Sequence, residues 1–181
     1  MAGPDPISRR LRRLFAVLDG DGDGSVTWAD HRGIVDRYAA GYGLASDDAR
    51  IQALERAYWE LWLGLLARAE PGRDRLSEEE FVAAHRSADY ETDGQNVLER
   101  LARAIFRILD TDGDQRVGAD EFAAYLTVWG VSGDAGPVAF RRLDLDRDAF
   151  ISQREIARSL RAFHINNDDL DTPGGLFLGV R

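Results

Sequence analysis

The chain has 181 residues, a formal net charge of −9 and no cysteine. The charge argues against nucleic acid as a partner, the lack of cysteine excludes disulfides and thiolate metal sites, and no apolar run approaches the ~20 residues that span a membrane. The residues after Met1 form no signal-peptide core, so we expect a soluble, cytoplasmic protein with one sizeable core or two small lobes packed together.

An amphipathic helix and an acidic loop open the chain. Residues 7–18 carry apolar side chains at helical spacing, and we interpret the arginines on the other faces as solvated rather than as a membrane-binding surface. Loop one follows as residues 19–30, with acids at positions 1, 3, 5 and 12 and glycine at position 6. This is the pattern of an EF-hand, in which six to eight oxygens at about 2.3–2.6 Å surround a Ca²⁺ ion. The predicted ligands of loop one are Asp19, Asp21, Asp23, the backbone carbonyl of Ser25, Thr27 and Asp30.

A second loop in the same frame, residues 69–80, has lost its ligands. A long apolar helix, predicted over residues 49–67, precedes it. Positions 1, 3 and 5 of this loop two are Ala69, Pro71 and Arg73, which cannot bind a cation. EF-hand loops come in pairs, so we expect loop two to keep the fold as the partner of loop one and to hold no ion.

The acidic frame recurs twice in the second half of the chain, as loop three (residues 110–121) and loop four (residues 144–155). Position 6 favours glycine because its φ is positive, but Gln115 and Ala149 stand there, so we expect these sites to be weakened without being abolished. The predicted ligands are Asp110, Asp112, Asp114, Arg116 and Glu121 in loop three, and Asp144, Asp146, Asp148, Phe150 and Glu155 in loop four, with Arg116 and Phe150 offering only their backbone carbonyls.

The flanks of the loops predict how they assemble. A β-branched residue or leucine at position 8 of every loop suits a short strand that pairs two neighbouring loops. Position 9 of loops one, two and four is Ser or Thr, three residues before an acid, which is the pattern of a capping box. We therefore predict an all-α fold in which four EF-hands form two pairs within one compact domain, with short β-pairings between paired loops. The N-terminal pair would occupy residues 1–90, and the C-terminal pair with the tail residues 91–181.

Loop one differs from the other acidic loops at position 12, where Asp30 replaces glutamate. The shorter side chain has less reach for bidentate binding, and a site with fewer oxygens favours the smaller, octahedral Mg²⁺. We predict three Ca²⁺ sites, of which loop one has the poorest discrimination against Mg²⁺.

The order of intact and degenerate loops resembles the sarcoplasmic calcium-binding protein family. Its bacterial calerythrin-like members are similar in having active first, third and fourth hands, an inactive second hand and Asp at position 12 of loop one. The tail, with a Pro-Gly step at Pro173 before an apolar-aromatic end, is also similar. The resemblance spans nearly the whole chain, and implies a compact helical fold and a role in buffering or transporting Ca²⁺.

Composition favours a buffer over a sensor. Calcium sensors open a groove lined with methionine, but Met1 is the only methionine here. The apolar tail 176–180 would lie in the cleft that a target would otherwise occupy. A sensor that exposes an apolar surface to a protein partner remains the alternative, although no motif indicates a target. We expect a monomer.

A third alternative is an apolar ligand of the luciferin type, because related four-hand proteins hold one among His, Trp and Tyr side chains. We interpret the tryptophans here as core residues, and His31, His85 and His164 as surface or edge residues. No nucleophile motif is present and the carboxylates are explained by the loops, so we predict that the chain is not an enzyme.

Overall fold

The computed structural model describes residues 5–88, 90, 94–131, 135–166 and 173–178. Within these ranges the chain is mostly helical, which confirms the predicted all-α EF-hand fold. The α-helices are α1 (Pro6–Leu18), α2 (Trp28–Tyr42), α3 (Ala49–Leu66), α4 (Glu78–Ser87), α5 (Gly94–Leu109), α6 (Ala119–Val128), α7 (Ala135–Leu143) and α8 (Gln153–Ile165). Two strands, β1 (Ser25–Thr27) and β2 (Arg75–Ser77), and a 3-10 helix, Pro173–Leu178, complete the described elements. None of the described helices is both long enough and apolar enough to cross a membrane.

The four loops pair through their position-8 residues, as predicted. Val26 of β1 lies opposite Leu76 of β2 in an antiparallel sheet, and both side chains are buried. In the second pair, Val117 and Ile151 exchange backbone hydrogen bonds of 3.1 and 2.8 Å. The β-branched or leucine side chain at position 8 therefore anchors each loop to the core.

One hydrophobic cluster runs through both halves of the chain. α3 packs against α5, α5 against α8, and α1 against both α4 and α8. The contacts of α3 with α5 and of α1 with α8 join the N-terminal pair of hands to the C-terminal pair, so the loops are carried on a single core. The division of the chain at residues 90 and 91 stays a prediction.

The described part of the tail packs into this core. The side chains of Phe177 and Leu178 are buried. The Tyr125 hydroxyl donates to the Leu176 carbonyl at 2.6 Å, and the Tyr38 hydroxyl donates to the Phe177 carbonyl at 3.1 Å. The predicted docking of the apolar tail is thus present for residues 176–178, whereas residues 179 and 180 lie outside the described residues.

The expectation that the arginines of α1 are all solvated was wrong for Arg10. Its side chain is 1% exposed. The Nε–H donates to the carbonyl of Phe163 at 2.9 Å, and an Nη–H donates to the carbonyl of Asn166. Both carbonyls belong to the end of α8, where backbone acceptors lack intrahelical partners and a cation is favoured. Arg10 therefore ties α1 to α8.

The expectation that the histidines lie at the surface or an edge was also wrong, because all three are buried. His31 Nδ1 lies 3.0 Å from the carbonyl of Thr27, and His164 Nδ1 lies 2.8 Å from that of Leu160. His85 Nδ1 lies 2.6 Å from the Tyr90 hydroxyl. With one ring nitrogen satisfied locally, a neutral imidazole packs as an aromatic side chain.

Candidate metal sites

Each intact loop begins where its incoming helix makes a last helical hydrogen bond. The backbone N–H of the first aspartate donates to the carbonyl of the phenylalanine four residues earlier. These bonds join Asp19 to Phe15 at 2.8 Å, Asp110 to Phe106 at 2.8 Å and Asp144 to Phe140 at 2.9 Å. The first predicted ligand of each loop therefore stands at a fixed point at the end of its helix.

The backbone then turns through two left-handed residues, at positions 4 and 6. The positive φ at position 6 is present at Gln115 (66°) and Ala149 (69°), as predicted. Position 4 was not predicted, although glycine at that position in loops one, two and three was a signal for it. The left-handed residues of the intact loops are Gly22, Gly24, Gly113, Gln115, Arg147 and Ala149.

The turn brings acidic oxygens together in the three intact loops. In each loop, three side chains contribute one carboxylate oxygen apiece, and these oxygens lie within 4.8 Å of one another. The sets are Asp19, Asp21 and Asp23 in loop one, Asp110, Asp112 and Glu121 in loop three, and Asp144, Asp146 and Glu155 in loop four. Hard divalent cations prefer such oxygen donors, and the repulsion among clustered carboxylates disfavours the ion-free arrangement.

The position-12 residues divide into two types. Glu121 Oε1 accepts the backbone N–H of Thr111 at 2.7 Å, and Glu155 Oε1 accepts that of Leu145 at 2.7 Å, so both glutamates reach across the loop to position 2. Asp30 instead uses one oxygen, Oδ2, for the N–H and hydroxyl of Thr27 at 2.8 and 2.6 Å. Asp30 closes the predicted capping box but does not join the carboxylate cluster of its loop.

The remaining predicted ligands lie beside the clusters. Asp114 Oδ1 accepts the backbone N–H of Arg116 at 2.9 Å, and Asp148 Oδ1 accepts that of Phe150 at 2.9 Å, and neither aspartate joins the three-residue set of its loop. The guanidinium of Arg116 stacks 4.2 Å from the ring centre of Phe150. The two position-7 side chains thus contact each other across the second pair of loops.

At the first pair, Ser25 and Thr27 form the ends of β1. The Ser25 N–H donates to Asp23 Oδ1 at 2.8 Å, while the Thr27 hydroxyl takes part in the capping box. The Oδ1 atom of Asp19, by contrast, is buried without a hydrogen-bond partner among the described residues. A buried carboxylate oxygen is rarely left unsatisfied, so this atom fits a cation at the centre of loop one.

Loop two carries its own positive charge in place of an ion. The Arg73 Nη2 lies 2.9 Å from Glu80 Oε1, at position 12, and 3.1 Å from Glu70 Oε2. Hydrogen bonds from Ser77 and the charge of Arg73 both lower the pKa of Glu80. Loop two also keeps the left-handed residue at position 4, Gly72, but not the one at position 6. The guanidinium therefore pairs with two of the acids that this loop retains, including the one at position 12.

Comparison with known proteins places this arrangement in a family. No protein-family model matches the chain. It is 29% identical to calerythrin of Saccharopolyspora erythraea over 171 residues, covering 92% of this chain and 97% of calerythrin. It is 31% identical, with a TM-score of 0.72, to the structure of a Streptomyces coelicolor calcium-binding protein, covering 87% of this chain and 97% of that one. The chain belongs to the calerythrin-like sarcoplasmic calcium-binding protein family.

Relatives of this family extend to animals. The sarcoplasmic calcium-binding protein of Perinereis vancaurica tetradentata is 25% identical over 171 residues, with 94% of this chain and 95% of that protein covered. Calcium-loaded apo-aequorin from Aequorea victoria has a TM-score of 0.77 at 19% identity, over 93% of this chain and 95% of aequorin, which shows the shared fold alone. The relatives are calcium-binding proteins of a non-enzymatic kind, which confirms that this chain is not an enzyme.

Proposed function

We propose that the chain binds Ca²⁺ at loops one, three and four and acts as an intracellular calcium buffer or transporter. The observation that carries this proposal is the convergence of three carboxylates in each of those loops, against a guanidinium in loop two. The proposed ligands are Asp19, Asp21, Asp23, Ser25, Thr27 and Asp30; Asp110, Asp112, Asp114, Arg116 and Glu121; and Asp144, Asp146, Asp148, Phe150 and Glu155.

Loop one is the proposed site of Mg²⁺ competition. In loops three and four, the glutamate at position 12 already belongs to the acidic cluster. The carboxylate of Asp30 is held at the helix cap instead. A site that lacks a bidentate acid at position 12 has fewer oxygens, and this favours Mg²⁺ relative to Ca²⁺.

The docked tail supports a buffer over a sensor. A sensor needs an apolar groove that a target helix can enter, whereas Phe177 and Leu178 are buried in the core of this protein. The second candidate is a calcium-dependent regulator. It is favoured by the Streptomyces coelicolor relative, which is described as acting in prokaryotic calcium-mediated regulation. In that case calcium would release the tail.

Isothermal titration of the full chain tests the stoichiometry, with three equivalents of Ca²⁺ expected. Asp19→Ala, Asp110→Ala and Asp144→Ala should each remove one equivalent, since each deletes a position-1 ligand. Glu80→Gln, at position 12 of loop two, is the matched control and should leave three. A loss of one equivalent in Glu80→Gln, or three equivalents in all of the aspartate variants, would contradict the assignment.

Fluorescence of an apolar dye separates the two candidate functions. A buffer should show little gain in dye binding when it is loaded with calcium, because its apolar surface stays covered. A large calcium-dependent gain would favour the regulator and would be accompanied by exposure of the tail. A single cysteine introduced within residues 176–178 and labelled with a probe would report this exposure, because the chain has no other cysteine.

A further inference from the structure

A basic cleft of about 450 Å³ lies beside loop four, between the end of α7 and the middle of α8. Arg141 and Arg142 line it from the last turn of α7, Arg147 from loop four and Arg158 from α8. The whole chain carries a net charge of −9. This concave surface is therefore rich in positive charge, although the molecule as a whole is negatively charged. Such a local field attracts anions.

Three of the four arginines have no acidic partner in the part of the chain that the structure describes. Among the described residues, Arg141, Arg147 and Arg158 form no ion pair within 4.0 Å. Exposed arginines elsewhere do form such pairs, for example Arg12 with Glu78 at 3.0 Å. Within the described ranges, these three guanidinium groups are therefore not neutralised by a paired acidic side chain.

The two acids that line the cleft are held by loop four. Asp144 Oδ2 accepts the backbone N–H of Ala149 at 3.1 Å. Glu155 Oε1 accepts that of Leu145 at 2.7 Å, and its Oε2 accepts that of Ser152 at 2.8 Å. Both carboxylates belong to the acidic cluster of loop four. They are therefore committed to the loop rather than to the arginines.

Arg147 occupies its place in a left-handed conformation. Its φ is 62°, at position 4, where the other three loops have glycine. This conformation is disfavoured for any residue with a Cβ atom. The loop imposes this conformation at position 4, so replacing Arg147 by glycine keeps the backbone and removes only the charged side chain.

Ser159 provides an independent observation. It lies on α8 at the wall of the cleft and is 9% exposed. Its Oγ is buried and has no hydrogen-bond partner among the described residues. Helical serines commonly donate to the carbonyl four residues back, and a buried hydroxyl is rarely left unpaired. An acceptor atom of a ligand would satisfy it.

We propose that this cleft binds a small oxyanion of the phosphate-monoester class. Guanidinium groups match the oxygens of a phosphate group with paired, charge-assisted hydrogen bonds. The Ser159 hydroxyl adds a neutral donor. The volume lies within the range of small-molecule sites and suits a phosphate group that carries a small organic substituent.

Calcium strengthens this binding, a consequence that rests on the proposed function of loop four. A Ca²⁺ ion held by Asp144 and Glu155 neutralises the only acids that line the described cleft, so their repulsion of the oxyanion disappears. By thermodynamic linkage, the oxyanion raises the calcium affinity of loop four by the same factor.

The test is a titration of the full chain with glycerol 2-phosphate, with and without Ca²⁺. Binding is monitored by calorimetry and by the NMR signals of the arginine Nε–H groups. Arg147→Gly removes one charge and restores the residue found at position 4 of the other loops. Arg158→Gln removes a second charge, and Ser159→Ala removes the hydroxyl. Arg154→Gln is the matched control, because Arg154 lies one turn earlier on α8 and does not line the cleft.

The expected result is saturable one-to-one binding that is tighter with Ca²⁺. Arg147→Gly and Arg158→Gln should each weaken it by about tenfold, and Arg154→Gln by less than about twofold. No saturable binding to the wild-type chain, or equal weakening by all three arginine variants, would overturn the proposal. Calcium titrations of the same samples keep the two proposals apart. Oxyanion binding without calcium uptake by loop four contradicts the proposed function and the calcium linkage but not the cleft, and calcium uptake without oxyanion binding contradicts only the cleft.

Discussion

Asp30 is one methylene shorter than Glu121 and Glu155, and this difference decides what its carboxylate reaches. Asp30→Glu should extend the acid from the helix cap into the cluster of loop one. We expect the calcium affinity of loop one to rise on the order of tenfold and its discrimination against Mg²⁺ to improve, since ligand geometry tunes these sites over wide ranges. Calorimetric titration in excess Mg²⁺ measures both.

The reverse substitution, Glu155→Asp, is the control for Asp30→Glu. It should weaken loop four and make it more sensitive to Mg²⁺. If Asp30→Glu left the affinity and selectivity of loop one unchanged, side-chain length at position 12 would not be what limits this site.

Ala149 shows how the backbone of a loop limits its residue choice. With a φ of 69° it stands in the left-handed region, so Ala149→Gly should raise the free energy of unfolding by about 1 kcal/mol. Ala123→Gly is the same chemical change at an exposed helical position of α6, and there it should lower the free energy by about 1 kcal/mol. Urea denaturation of both variants in calcium measures the two changes in the free energy of unfolding. Changes of the same sign would contradict strain at position 6.

At the residue scale, the clustering of the loop carboxylates was more predictable from the sequence than the backbone conformation. The carboxylates at positions 1 and 3 cluster in every intact loop, as their spacing indicated, and are joined by position 12 in loops three and four but by position 5 in loop one. The left-handed residue at position 4 was missed because arginine occupies it in loop four. The burial of Arg10 could not be predicted from α1, since its partners are carbonyls at the distant end of α8.

The 3-10 helix Pro173–Leu178 is held by a close approach to α8. A Cβ atom on Gly174 would overlap the carbonyl group of Ser159, so Gly174→Ala should displace the tail. The expected result is faster proteolysis near the C-terminus and a gain in apolar-dye fluorescence. Gly64→Ala, in the open surface of α3, is the matched control and should be neutral or stabilising by about 1 kcal/mol.

Displacement of the tail in Gly174→Ala but not in Gly64→Ala would support a tail that stays packed on the core. If Gly174→Ala and Gly64→Ala behaved alike, the contact between Gly174 and Ser159 would not be what holds the tail.

Element boundaries and loop pairing were largely predictable. Apolar spacing indicated α1 and α3, and position 8 identified Leu76 as the partner of Val26 before any strand was visible. The contact of Arg73 with both Glu80 and Glu70 was not predictable in detail, because it depends on side-chain directions within a loop. The frame predicted only that Arg73, at position 5, cannot bind a cation.

The molecule as a whole should lose stability on acidification, because its buried histidines resist protonation. Burial lowers the pKa of His31 and of His164 to about 4, and that of His85 also falls. In the unfolded chain a histidine titrates near 6.5. Between these values the unfolded chain binds more protons, so the free energy of unfolding falls as pH drops from 6.5 to 4, by up to about 3 kcal/mol per histidine.

His31→Phe isolates one part of this effect, because phenylalanine occupies the corresponding place in loops two and three, at Phe81 and Phe122. The variant keeps every loop carboxylate, so its pH dependence differs from that of the parent only through the imidazole. Calcium-free urea denaturation between pH 7 and 4 should show a shallower slope. An unchanged slope would mean that His31 titrates equally in both states.

The fold and the proposed ion sites share one frame in this protein, because each intact loop carries both the position-8 residue that pairs it and the carboxylates that cluster. The most direct measurement is diffraction from crystals grown in millimolar calcium, with anomalous scattering used to identify the ions. The account predicts calcium at the centres of loops one, three and four, and the Arg73 guanidinium against Glu80 in loop two. Absence of calcium from those three centres, or an ion bound beside Arg73, would contradict it.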